Sequence, residues 1–150
     1  MPPEPETDFD RQFFAKIVEH RWGVLSIPDD ESVGVYSYTV GMRARFGHEL
    51  CVFGIAPSKA VHILNHAGNV AEESGPFAEG ERRSDILNGY DCVFRTVAAS
   101  RHEDLFTYGL WYNGRGMTVL QLVWPDDAGR FPWDDGYDRP QTATWEAPGQ

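Results

Sequence analysis

From Asp8 onward, Phe9, Phe13 and Ile17, with Phe14 and Val18 beside them, recur at the spacing of one helical stripe, so FDRQFFAKIVEHR reads as an amphipathic helix. Asp8 offers itself as the N-cap, and Gly23 stops the run. The rhythm then turns to alternation. GVLSI and GVYSYTVGM read as two strands joined through PDDES, whose Pro and Asp residues suit a turn. RARFGHE is a polar loop, and the LCVFGI behind it is apolar on both alternating faces, the mark of a central strand covered from two sides.

Pro57 and Ser58 open a second helix with Ala60, Ile63, Leu64, Ala67, Val70 and Ala71 on its stripe and Gly75 at its end. GPFAEGERRSDILNG has no period and reads as a loop with room for one short strand. YDCVFRTVA is a strand, ASRHEDLFTYGLWYNGRG a short helical turn followed by an irregular aromatic segment, and MTVLQLVWP a final strand. Beyond Asp126, Pro and Gly recur every few residues. The expectation is an α+β fold: a single domain with a mostly antiparallel sheet of about five strands, two main helices packed on one face, and an irregular aromatic C-terminal tail. Residues 1–7, with three prolines and two glutamates, are expected to be disordered, residues 8–141 to form the domain, and residues 142–150 to trail from it.

A chain of 150 residues that is 41% hydrophobic and 13% aromatic is the ordinary size for one buried core. Charge narrows the partners. With 13 basic against 23 acidic side chains, net −10, little surface is left to neutralise phosphates, which argues against nucleic acid and anionic membrane. A small molecule or a protein remains, and a basic or neutral ligand suits the field of the whole chain. No apolar run approaches the roughly 18 residues of a membrane span, and MPPEPETDFD lacks the basic start and apolar stretch of a signal peptide, which points to the cytoplasm. Cys51 and Cys92 both fall in apolar strands and are expected as free thiols in a reducing compartment.

Candidate chemistry begins where two strands meet across GMRARFGHEL, gathering Thr39, Gly41, His48 and Glu49 at one end of the sheet. His48 beside Glu49 has the makings of a general base, because an imidazole titrates near neutral pH and a neighbouring carboxylate favours its charged form. A histidine that merely caps loop backbone is the alternative. His62 and His66 lie four apart on one helical face, the spacing that lets two imidazoles share a metal. Ile63 stands where a zinc-protease motif has its glutamate, so no metal is assigned and the pair equally suits the wet face of the helix.

Arg95 and Gln121 interrupt apolar strands, and a buried guanidinium or amide needs a partner. Asp91, on the same strand face, offers Arg95 an ion pair. Gln121 has no such neighbour. Phe106, Tyr108, Trp111, Tyr112, Trp124, Phe131, Trp133 and Tyr137 crowd the last third of the chain, as a ligand wall, a recognition surface or packing for an irregular end. Trp124-Pro125-Asp126 invites comparison with the acid loop of tyrosine phosphatases, but in the Cys-x5-Arg pattern of their phosphate loop the arginine position is Pro57 after Cys51 and Ala98 after Cys92. The carboxylates Asp126, Asp127, Asp134, Asp135 and Asp138 do not keep the alternate spacing of a calcium loop.

Taken in order, SYTVGM, HELCVFGI, WYNG and VLQLVWPDDAGRFPWDDGYDRPQ resemble a bacterial family known as domain of unknown function 4262, with its Tyr-Thr-x-Gly strand end, His-Pro-Glu-Leu step and closing Gln-x-x-Trp-Pro-Asp, Gly and Pro-Trp signature. The likeness runs from Trp22 to Gln141, and here His48 and Glu49 lack the intervening proline. It brings no agreed activity and leaves any cofactor unknown. What it implies is a set of positions, Tyr38, Thr39, Gly41, His48, Glu49, Gln121, Trp124, Pro125, Asp126, Gly129, Pro132 and Trp133, as fold determinants or site residues.

Three functions remain in view. The first is a binding domain whose cleft, between the His48 end of the sheet and the aromatic tail, takes a small polar or cationic ligand or a peptide through Tyr38, Thr39, Arg95, Gln121, Trp124, Asp126 and Trp133. The second is an enzyme with His48 as general base or metal ligand, Glu49 orienting it, and Asp126 or Arg95 assisting. The third is an inhibitor or immunity-type protein that meets its partner through a broad aromatic patch.

Overall fold

The computed structural model describes residues 2–28 and 33–145. Its elements are helix α1 (Asp8–His20), strands β1 (Gly23–Ile27) and β2 (Tyr36–Val40), helix α2 (Arg43–Phe46), strand β3 (Glu49–Phe53), helix α3 (Pro57–Ser74), strands β4 (Arg82–Leu87) and β5 (Tyr90–Thr96), helices α4 (His102–Leu105) and α5 (Thr107–Asn113), and strand β6 (Val119–Val123). The expected PDDES turn falls on residues 29–32, outside the described residues except for its proline.

Thr7, rather than Asp8, caps the first helix. Its hydroxyl accepts from the Asp10 backbone N–H at 3.0 Å, and the Asp10 carboxylate accepts in return from the N–H groups of Thr7 and Glu6. This reciprocal box satisfies donors that a helix start otherwise leaves unpaired. Asp10 also accepts from the Tyr108 hydroxyl at 2.7 Å, so the cap fastens α1 to α5.

The strands form one six-stranded sheet in the order β1-β2-β3-β6-β5-β4, antiparallel except where β3 runs parallel to β6. The class is α+β as expected, but there are six strands and the sheet is mixed. β4 is the one short strand for which the GPFAEGERRSDILNG loop had room. It is an edge strand, RRSDIL, with a single buried side chain, so it carries no alternation to see. Two short helices, α4 and α5, occupy the segment read as a helical turn and an irregular aromatic stretch.

Helices cover both faces of the sheet, not one. On the first face α3 lays Ala60, Leu64 and Ala67 against Leu50, Val52, Leu120, Leu122 and Phe94. On the second, Phe13 and Ile17 of α1 and Leu105 and Phe106 around α4 pack with Tyr36, Tyr38, Cys51, Phe53 and Val119. Residues of β3 and β6 alternate between the two clusters, and both strands are buried throughout their length. The apolar run LCVF is therefore a strand sandwiched by helices.

The tail covers the rest of the second face. Gln121 donates its amide N–H to the Thr142 carbonyl at 2.8 Å, and its amide oxygen accepts from the backbone N–H and hydroxyl of Thr144. The Ala98 N–H donates to the Thr144 carbonyl, and Trp145 bridges to Val97. Gln141 clasps the Trp124 backbone on both sides, accepting its N–H at 3.1 Å and donating to its carbonyl at 2.8 Å. Residues 146–150 lie outside the described residues.

Gly68 shows how closely the first layer is packed. A β-carbon there would stand 2.3 Å from the Trp22 ring and 2.8 Å from the Met42 methyl group. Trp22 is buried, with its indole N–H donating to Asn65 at 2.9 Å. Helix propensity alone favours alanine over glycine by about 1 kcal/mol, whereas overpacking a tight core costs about 1–3 kcal/mol. Gly68→Ala is therefore expected to lower the urea unfolding midpoint, with Gly68→Val lower still. A midpoint raised by the alanine would show that the Trp22 ring yields.

Candidate functional site

His48 and Glu49 are neighbours in sequence and point to opposite faces of the sheet. Glu49 shares the parity of Cys51 and Phe53 on the second face, while the His48 ring stands on the first, between Phe46 and Phe77 with both centroids 6.0 Å away. The pair does not form a base with its orienting acid.

Glu49 instead sits at the centre of a buried polar knot. Its carboxylate accepts from the Thr39 hydroxyl (2.8 Å), the backbone N–H groups of Gly41 (3.0 Å), Met42 (3.1 Å) and Arg43 (3.2 Å), and the Asn113 amide (3.0 Å). The Thr39 hydroxyl in turn accepts from the Leu50 N–H at 2.9 Å. Among the described residues no cation forms an ion pair with this carboxylate. Burial pushes its pKa up from the usual carboxylate value, and the Thr39, Gly41, Asn113 and Arg43 donors oppose that rise. Gly41 takes φ +111° to aim its N–H at the carboxylate, a conformation that side chains rarely adopt. Tyr38 is buried between Tyr36 and Phe106, and burial pushes its phenol up to about 12.

His48 is 4% exposed and accepts the Phe77 backbone N–H through Nε2 at 3.1 Å, which leaves Nδ1 buried without a partner. His102, 8% exposed, likewise has Nε2 buried and unpaired. Burial lowers the pKa of both rings.

The remaining positions divide between fastening the tail and bordering a cleft. Arg95 does not pair with Asp91, which is held by Arg82 at 2.8 Å. It bonds Glu79 at 2.9 Å and lies 5.5 Å from the ring of Trp133 and 5.3 Å from that of Trp145, because its strand position faces the tail. Gln121 finds its partners in that same tail, 21 and 23 residues away. Trp133 is half exposed and stacks on buried Phe131. Asp126 closes the turn through Gly129, accepting from the N–H groups of Ala128 and Arg130 and from the Arg130 guanidinium at 2.8 Å. Its burial works to raise the pKa, but these donors prevail and hold it below the ordinary value.

A cleft of about 530 Å³ opens at the other end of the parallel pair from His48, where β3 and β6 finish. Ile55 and Trp124, just past those strand ends, form its floor side. Lys59, His62, Ile63 and His66 of α3, Ile86, Leu87, Asn88 and Tyr90 of the β4–β5 hairpin, and Pro125, Asp127 and Arg139 of the tail complete the lining. Trp124 donates its indole N–H to the Phe53 carbonyl at 2.8 Å and so presents only its ring surface. Lys59, Tyr90 and Arg139 were not singled out in the sequence, since nothing local brings a helix, a hairpin and a tail together. Two more open hollows, of about 640 and 440 Å³, flank His102 on the other side of the sheet.

His62 and His66 both border the cleft, and the His66 Nε2 lies 2.9 Å from the Asp85 carbonyl. Among the described residues no group of three or more His, Cys, Asp or Glu could hold a metal, and no helix is long and apolar enough to cross a membrane.

A mixed six-stranded sheet between α3 on one side and α1, α4, α5 and the tail on the other defines a single-sheet α+β domain. Residues 16–138 match the family model described as "Domain of unknown function (DUF4262)", and the chain belongs to that family. Neither the curated proteins nor the solved structures contain a significant match.

Glu49→Gln keeps the shape of the side chain but turns an NH2 group toward donors. Leaving a buried donor without its acceptor costs about 1–3 kcal/mol, and more where the acceptor was charged, and a loss of that order is expected in the unfolding free energy. A variant as stable as the parent would show that the knot is dispensable.

The histidines add a pH dependence. Their folded pKa values lie below the ordinary 6.5, so the unfolded chain binds more protons there, and the stability they contribute is present above 6.5 and lost as pH falls. Glu49, shifted upward, has the opposite slope. The clean comparison is therefore between variants: the stability difference between neutral and mildly acidic buffer should shrink in His48→Gln and His102→Gln, and an unchanged difference would contradict the assignment.

Proposed function

We propose that this chain is a small-molecule binding domain whose ligand occupies the cleft at the carboxyl ends of β3 and β6. The observation that carries the reading is the cleft itself: about 530 Å³, within the size range of ligand pockets, with an apolar ring wall and several polar side chains converging from three separate elements. Sheets with parallel strands commonly bind ligands outside the strand carboxyl ends, where loops diverge. This differs in place from a cleft spanning His48 and the tail, because His48 lies at the opposite strand end, roughly 20 Å away at about 3.3 Å per residue.

Catalysis centred on His48 and Glu49 finds less support, since their side chains leave β3 on opposite faces. A broad aromatic docking patch also finds less. Of the exposed large apolar side chains among the described residues, Phe9 and Val18 lie nine positions apart on α1 and so on opposite sides of that helix, while Tyr90 belongs to β5 and Trp133 to the tail. Cys51 and Cys92 are free and buried, as suits a reducing cytoplasm.

A thermal-shift screen against a metabolite library tests the reading. A ligand at a hundred times its Kd adds about 2.7 kcal/mol, enough to raise Tm by several degrees. His62, exposed and without a hydrogen-bond partner among the described residues, can be changed without touching the core. His62→Trp should fill the cleft and abolish the shift, whereas Ser100→Trp, beside a His102 hollow, should leave it. A shift that survives His62→Trp would place the ligand elsewhere.

A further inference from the structure

The cleft carries charge of the opposite sign to the molecule. The chain has 23 acidic side chains for 13 basic ones, and most of its arginines are matched. Arg45 and Arg21 share Glu72, Arg82 holds Asp91, Arg83 holds Glu81 and Asp85, Arg95 holds Glu79, and Arg130 holds Asp126. Lys59 and Arg139 make no side-chain hydrogen bond or ion pair with any described residue, yet both line the same cleft, one from α3 and one from the tail. His62 and His66 stand beside Lys59, and Asp127 is the only acidic residue in the lining.

On a molecule with net charge −10, acids are plentiful enough to pair every cation, so two left unpaired around one concavity are free to meet a charge from outside. The apolar part of the same lining sets the rest of the ligand. Ile55, Leu87 and Pro125 are apolar, Tyr90 adds an exposed ring, and the Trp124 indole offers its face because its N–H is already bonded to Phe53. Building on the cleft reading above, we propose that the ligand is a small organic anion: a carboxylate or phosphate held between Lys59 and Arg139, on a planar or apolar body that lies against Trp124. Arginine offers a planar fork that matches either head group, and lysine a mobile point charge.

The test is a titration of the full-length 15N-labelled chain with benzoate, phenyl phosphate, inorganic phosphate and benzylamine, following the Trp124 indole and the backbone signals of Lys59, His62 and Arg139. Benzoate or phenyl phosphate should shift these signals at millimolar concentration, and whichever binds more tightly identifies the head group. Inorganic phosphate should bind more weakly than phenyl phosphate if the apolar body contributes.

The double variant K59A/R139A should weaken the preferred anion about tenfold or more, the equivalent of one lost charged contact, and reduce its sensitivity to salt. Both side chains are exposed, so its urea midpoint should match the parent's. If benzylamine shifts the cleft signals and the anions do not, the anion assignment is wrong while the cleft stands. If none of the four probes moves a cleft signal, the anion assignment is wrong, and a metabolite screen silent for the parent as well removes the cleft reading with it. Equal affinity in the parent and the double variant would also overturn the assignment.

Discussion

A single buried carboxylate organises one end of this domain. Glu49 has no cationic partner among the described residues, so its charge is tolerable only because five donors converge on it. Those donors come from the end of β2, the turn into α2, and α5. Thr39, Gly41, Glu49 and Asn113, which lie in separate pieces of the chain, therefore have to come together for any of them to be satisfied. The family's Tyr-Thr-x-Gly strand end and its glutamate acquire a physical meaning from this knot. They specify how the first half of the sheet closes, and His48, one residue before Glu49, belongs to a different layer.

A second constraint works on the opposite side of the sheet from α3. Gln121 and Arg95 point away from α3 toward a face that α1, α4 and α5 cover only in part. The tail supplies what is missing, with Thr142 and Thr144 on Gln121 and the Trp133 and Trp145 rings beside Arg95. Trp124, Asp126 and Gln141 set the path by which the chain leaves β6 and returns. The aromatic and acidic stretch after β6 is thus mainly a strap, and its opening residues, Trp124, Pro125 and Asp127, also border the cleft. A structural device and a candidate binding surface share the same short segment.

The two ends of the parallel pair consequently differ in kind. At the start of β3 the Glu49 carboxylate is buried and fully engaged by its own donors, which favours rigidity over exchange with a ligand. Beyond the ends of β3 and β6 the elements diverge, and Lys59 and Arg139 remain without protein partners among the described residues. Net charge describes the average field of the molecule, whereas a binding site responds to the few charges that face it.

Much was legible in the chain itself. The stripes of α1 and α3 and the strands β1, β2, β3, β5 and β6 could be read because burial leaves either a period of 3.6 or 2 or a short continuous apolar run in the sequence. The need of Gln121 and Arg95 for partners was also legible, since a polar residue in an apolar strand stands out. Edge strand β4 was legible only as room for one short strand, and helices α4 and α5 only as a short helical turn before an irregular stretch, because an exposed strand need not alternate and a helix of four to seven residues is too short to establish a period.

By itself the sequence determined which segments would be buried and which polar groups would need an answer. Only the tertiary structure decided what answers them: the tail for Gln121, the knot for Glu49, and the meeting of α3, the β4–β5 hairpin and the tail that makes the cleft. Such contacts join residues tens of positions apart, and a local pattern carries no record of which distant segment will arrive.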